Sequence, residues 1–168
     1  SKGSCSKGLR YTGSATGSTC SPPSEARPVR RPGTWLSPHV RDRCTVHDRS
    51  DAAARRRDNL EMLLTAALDH RVETIWIARD LGYRGGRRTG VPLTDEIHLG
   101  HAGTLMGGIA FERATQGPAV AERTAAIVWR VLERIGQPVM LWNVFPFHPH
   151  EADDPMSNRC HTRSEREA

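Results

Sequence analysis

The stretch PAVAERTAAIVWRVLERIG, residues 118–136, limits the fold more than any other part of the chain. Pro118 stands near its start and Gly136 just past its end, the usual asymmetry of helix termini. Val120, Thr124, Ile127, Val128, Val131, Leu132 and Ile135 recur at helical spacing and make one apolar stripe. On either side lie short β-rich runs, VETIWIA at 72–78 and PVMLWNVF at 138–145. Strand, helix and strand in succession predict a βαβ unit with parallel strands, because the helix carries the chain back across the sheet. The second run is apolar on both faces, as in a strand covered from two sides. Two strands are too few for such a sheet, so more are expected beyond residue 168. The predicted class is α/β with a parallel sheet, truncated after the second core strand.

With 168 residues the chain has room for one domain. Residues 1–33 hold Lys2, Lys7, Arg10, Arg27, Arg30 and Arg31 against Glu25 alone, among Ser, Gly, Thr and Pro. They bury almost nothing and are expected to be a disordered basic tail, leaving 34–168 as the domain. The whole formal excess of +5 falls in that tail, so overall charge says nothing about the domain's partner. Ser50 offers an N-cap for DAAARRRDNLEMLLTAALDH, with Leu60, Leu63, Leu64 and Ala67 at helical spacing. The triple arginine Arg55–Arg57 reads as a solvated face. Thr94-Asp95-Glu96 looks like the start of a short helix, which Gly107-Gly108 interrupts. Thr162 followed by Glu165 is a capping-box signature for one more helix.

Four cysteines, Cys5, Cys20, Cys44 and Cys160, form no C-x-x-C pair, and no disulfide framework is predicted. Cys44, His47, His148, His150, Cys160 and His161 lack the spacing of a zinc knuckle, so neither metal nor cofactor is expected. No apolar run approaches the ~20 residues of a membrane span, and no charged-then-apolar leader opens the chain. A cytoplasmic protein without membrane contact is the expectation; oligomeric state is not legible.

The chemistry is concentrated in ARDLGYRGGRRTG, residues 78–90. Asp80 is its one acid, among Arg79, Arg84, Arg87, Arg88 and four glycines. In open parallel sheets ligands bind beyond the carboxyl ends of the strands. Asp80 lies at one such end and Asn143 near the other, so both are expected to face one crevice. A carboxylate can position water or stabilise a cation, and an amide can read a donor–acceptor edge. Glycines let backbone N–H groups approach an anion, and Arg84, Arg87 and Arg88 are candidate phosphate ligands. The loop lacks the Gly-Lys-Ser/Thr ending of a P-loop and is no Gly-x-Gly-x-x-Gly before a helix.

These motifs together resemble the uracil-DNA glycosylase superfamily over residues 34–168. Ala78-Arg79-Asp80-Leu81-Gly82 is similar to its leading strand-end turn, GYRGGRRTGVPLTDE to the loop after it, LWNVFPFHP to its second strand and SNRCHT to its return loop. The resemblance implies a three-layer α/β/α fold and a partner DNA containing uracil or another damaged base. A base-excision repair enzyme of this kind swings the nucleotide out of the stack and hydrolyses its N-glycosidic bond. It assigns Asp80 to the water and the cationic sugar, and Asn143 to O4 and N3–H of the base. Backbone N–H groups around Arg79 and Asp80 would hold O2. Leu93 falls where relatives often place a stacking phenylalanine.

The chain also departs from that pattern. Ala78 replaces a glycine and Leu81 a proline. Gly82 stands where strict uracil enzymes carry a tyrosine that blocks thymine, and Tyr83 comes one residue later, which implies a wider range of bases. The His-Pro-Ser motif that stabilises the departing base is not found, and His148-Pro149-His150 directly follows the second strand, the wrong place for it. This chain by itself is therefore expected to be weak or inactive. The alternatives are a non-catalytic nucleic-acid-binding remnant gripping phosphates through Arg84, Arg87, Arg88 and the tail, and a nucleotide-binding α/β domain.

Overall fold

A computed structural model describes residues 35–39 and 44–167, so the tail expected at 1–33 lies outside the described residues. The arrangement is mixed α/β. Strand β1 (Trp35–Leu36) is followed by helix α1 (Ala52–Asp69) and strand β2 (Ile75–Asp80). Next come α2 (Gly86–Thr89), α3 (Leu99–Leu105) and α4 (Arg123–Ile135). Strand β3 (Met140–Phe145), the short β4 (His148–Pro149) and α5 (Arg163–Arg166) complete the order. The expected parallel pair forms: β2 runs beside β3, with Ile75 opposite Met140, Ala78 opposite Asn143 and Asp80 opposite Phe145. A second pair, β1 antiparallel to β4, had no signal in the sequence pattern.

Both parallel strands begin later than their apolar runs. The Val72 N–H is taken by the Ala67 carbonyl at 2.9 Å, so the first residues of that run close α1 instead of entering the sheet. Pro138 has no N–H to give a ladder. Helix α4 likewise starts at Arg123, well after Pro118, because Glu122 is extended and its N–H donates to Asp95 Oδ2 at 2.6 Å. Its end is as expected, with Gly136 at φ 63°.

The stripe on α4 is divided. Ala125, Trp129 and Leu132 pack with Val139 and Leu141 in the core, whereas Ile127, Val131 and Ile135 are exposed. The sheet shows the same asymmetry. Leu141, Asn143 and Phe145 are buried on one face, while Ile75, Ile77 and Val144 on the other are about half exposed at 52, 59 and 53 %. The expectation of a strand covered on both faces is thus not met among the described residues. No helix among them is long and apolar enough to cross a membrane.

Helix α1 departs most from its pattern. Asp51, not Ser50, precedes its first turn. Its buried face comprises Ala52, Arg56, Asn59, Leu63 and Ala66, so the triple arginine is not simply a solvated face. Arg56 is fully buried, its Nη2 donating to Asp48 Oδ2 at 2.5 Å and its Nη1 to the Pro38 carbonyl at 3.1 Å. Arg87 reaches the same carboxylate at 3.3 Å, and the Cys44 N–H donates to it at 2.8 Å. Asn59 donates to the carbonyls of Thr89 and Glu112 and accepts from the Glu112 N–H. Polar side chains therefore dock α1 on the glycine loop. Gly90, at φ 77°, lies so close to the Arg56 backbone that a Cβ there would collide with it.

Asp48 compensates two buried guanidinium groups. Asp48→Ala removes this carboxylate from both, and the expected loss is ~3–5 kcal/mol of folding free energy, read from denaturant unfolding. Asp51→Ala, which breaks only an exposed pair with Arg55, is expected to leave the midpoint nearly unchanged.

Candidate functional site

The site is built where β2 ends. Past Asp80 the pairing continues for one bond, Leu81 N–H to the Phe147 carbonyl at 3.1 Å, which holds the turn 79–83 against the chain leaving β3. Residues 158–161 then run back across this turn. Tyr83 N–H donates to Asn158 Oδ1 at 2.8 Å, Arg79 Nη1 to Cys160 Sγ at 3.0 Å, and His161 Nδ1 lies 3.4 Å from Asp80 Oδ2. The return loop is itself clamped. Arg159, nearly buried, donates through Nε to the His150 carbonyl at 2.6 Å. Its two terminal nitrogens fork onto the Glu165 carboxylate at 2.8 and 2.5 Å. Glu165 also accepts from the Thr162 N–H, while Thr162 Oγ1 accepts from the Glu165 N–H. This is the capping box expected from the sequence.

At the centre, the Asp80 side chain is 11 % exposed and is gripped by Arg79, Nε to Oδ2 at 2.7 Å and Nη2 to Oδ1 at 3.5 Å. Asn143 is 1 % exposed, and its Nδ2 donates to the Asp80 main-chain carbonyl at 2.8 Å. Its Oδ1 is buried and accepts no hydrogen bond. The amide was expected to turn both arms to a base; its donor is instead committed to the protein and only the acceptor is unspent. His161 lies flat on Phe145, with ring centroids 4.9 Å apart and planes at 27°.

The remaining predicted residues divide. Arg84 is exposed and makes no hydrogen bond or ion pair with the described residues. Arg87 and Arg88, expected to grip phosphate, are 3 and 2 % exposed and face inward. Arg87 pairs with Asp48; Arg88 donates to Glu96 and Thr115, each at 3.1 Å. Those positions are structural, because burying a guanidinium requires a partner carboxylate and both partners lie inside. Leu93, the expected stacking residue, adopts φ 55° and packs against the core cluster of α4 and β3. Tyr83 Oη donates to Met156 Sδ at 3.1 Å and its ring tilts against His148.

Gly82 makes room for a group that sequence reasoning missed. A Cβ on Gly82 or on Gly85 would strike the carboxylate of Glu122, which folds over this loop and accepts no hydrogen bond from the described residues. Burial, reinforced by the nearby Asp95 charge, pushes the Glu122 carboxyl above its ordinary range. His161 was also missed as a neighbour of Asp80, since a contact spanning 81 positions leaves no mark on local spacing. Among the described residues no group of three or more His, Cys, Asp or Glu is placed to hold a metal ion.

No match to this chain is found among protein-family models or among curated protein sequences.

Two pH-dependent outcomes follow from the carboxylates. Glu122 is penalised while charged, so Glu122→Gln is expected to raise the unfolding midpoint at neutral pH, with the gain vanishing below about pH 4.5, where the unfolded acid is protonated as well. Glu165 behaves oppositely. Partial burial disfavours its charge, but the Arg159 fork and the Thr162 bonds outweigh this and hold it at about 2 against an ordinary 4.5. Its stabilising contribution is complete above pH 4.5 and is lost as pH falls to about 2. Acid titration of stability should therefore be shallower in Glu165→Gln than in the parent across that window.

Proposed function

We propose that this chain is a uracil-DNA glycosylase-like α/β/α domain that acts in DNA base-excision repair in the cytoplasm, hydrolysing the N-glycosidic bond of uracil or a related base. The observation that carries the reading is the joining of Asp80 and Asn143 at the ends of adjacent parallel strands, with Nδ2 of one bonded to the carbonyl of the other at 2.8 Å. The carboxylate supplies negative charge beside a sugar that turns cationic as its base departs. The unspent Asn143 Oδ1 supplies an acceptor for a base N–H. Arg84, exposed on the same turn, is the arginine of this loop left to meet a phosphate. A purely phosphate-gripping remnant fits less well, because Arg87 and Arg88 are committed to Asp48 and Glu96.

The test uses the whole chain in excess over single- and double-stranded oligonucleotides carrying one uracil, with alkali cleavage and gel separation to count abasic sites. Slow release from uracil DNA is expected, with none from a thymine-free, uracil-free control. Asp80→Ala should reduce release ~100-fold or more, in line with loss of a positioned catalytic carboxylate. Asn143→Ala should erase any preference for uracil over cytosine in binding. Absence of both release and base preference overturns the reading, and salt-sensitive binding without preference would point to the remnant instead.

A further inference from the structure

The Asp80 carboxylate is not the most available proton acceptor at its own site. Both its oxygens are approached by Arg79, and Oδ2 also by His161. With Arg79 on both oxygens and His161 beside Oδ2, about two of its roughly four acceptor sites remain for water.

His161 is placed differently. The ring is 8 % exposed and is fixed from two sides, by the Phe145 face from β3 and by Asp80 from β2. Its Nδ1 is buried and approaches Asp80 Oδ2 at 3.4 Å, longer than a formed hydrogen bond, so it is without a completed partner. Its Nε2 makes no hydrogen bond to any described residue, yet it is not among the sealed, unsatisfied atoms of the molecule. One nitrogen thus faces the carboxylate, and the other is not sealed from solvent. Beside it, Arg79 Nη1 donates to Cys160 Sγ at 3.0 Å.

We infer that His161 is the catalytic proton carrier of this site, with Asp80 as the residue that positions it. The inference rests on the hydrolytic reading above. In the step it describes, the C1′–N bond of the nucleotide breaks and its electron pair leaves with the base. A water oxygen bonds to C1′, and the water proton passes to the neutral Nε2 of His161. The Asp80 carboxylate holds Nδ1–H and offsets both the imidazolium and the cationic sugar. The imidazolium then returns its proton to the base anion, so that one water is consumed and one free base is formed. An aspartate behind a histidine keeps the right tautomer and orientation for such a transfer. Short movements suffice to close the 3.4 Å gap, as catalytic hydrogen bonds often tighten only when substrate binds.

Two measurements test this. Diethyl pyrocarbonate labelling of the full chain, mapped by mass spectrometry, should modify His161 ahead of the enclosed His148 and His150; labelling of those two first overturns the solvent access of Nε2. Single-turnover release from uracil DNA should fall ~100-fold or more in His161→Gln, with the acid limb of the pH–rate profile flattened and the circular dichroism spectrum unchanged. Asp80→Asn should slow release while keeping that limb. Equal release and an unchanged profile in His161→Gln overturn the role of His161 and leave the hydrolytic reading standing. No release by the parent chain removes that reading, and this role with it.

Discussion

Everything near the glycine loop depends on compensating buried positive charge. Arg56, Arg87 and Arg88 are all within 3 % of full burial, and each must find a carboxylate because an uncompensated guanidinium in low dielectric is far too costly. Asp48 serves the first two and Glu96 the third. These acids are themselves fixed by backbone. Asp48 bridges to Thr115 as an isolated antiparallel pair, and Glu96 accepts from the Val120 N–H at 2.9 Å. The network therefore ties α1, the loop 85–96 and the segment leading into α4 together. Pairs of this kind stabilise less than hydrocarbon of the same volume can, but they tolerate few alternative arrangements. Here they fix the relative placement of α1, the loop and the segment before α4.

That geometry is passed to the strand ends. Helix α2 is pinned inward through Arg87 and Arg88, beyond the turn 79–83 that leaves β2. That turn passes under residues 158–161, which Arg159 holds through a carbonyl at 150 and the carboxylate of Glu165. The corner containing Asp80, Asn143 and His161 is thus braced by two arginine systems, one beneath the loop and one behind the return. Neither system touches the corner's unspent atoms. Rigid support of a few side chains that keep unspent polar atoms is the arrangement expected of a site that must present side chains in fixed positions.

The parts legible in the sequence were those set by short-range chemistry. The parallel pair followed from two apolar runs around an amphipathic helix, the end of α4 from Gly136, and α5 from Thr162 and Glu165 three residues apart. The failures have a common cause. Arg56 sits in a run of three arginines, and nothing local distinguishes the one that meets Asp48 from its exposed neighbour Arg57. Arg87 and Arg88 lie in a loop whose composition suits an anion site, and only tertiary placement of Asp48 and Glu96 turns them inward. Helix α4 loses its first turn because Asp95, far along the chain, captures the Glu122 N–H. His161 becomes part of the corner through a contact that no periodicity encodes.

The Asn143 amide shows how much selectivity such a corner can retain on the proposed reading. Its donor arm is spent on the Asp80 carbonyl, so a two-point match to a base edge is unavailable. A lone acceptor still discriminates. Uracil and thymine both present N3–H to it, whereas cytosine presents an N3 lone pair, and two lone pairs facing one another in a dry site repel. Leaving Oδ1 unsatisfied costs the resting protein ~1–3 kcal/mol, a penalty that a base N–H would relieve and an acceptor would not. Rejection of thymine needs a different device, a group meeting its C5 methyl, and Gly82 offers no side chain for that. Among the described residues, the group nearest a side chain at Gly82 is the Glu122 carboxylate, whose backbone N–H bonds Asp95. Exclusion of cytosine and exclusion of thymine are therefore separable in this corner, the first resting on Asn143 and the second on what Glu122 permits.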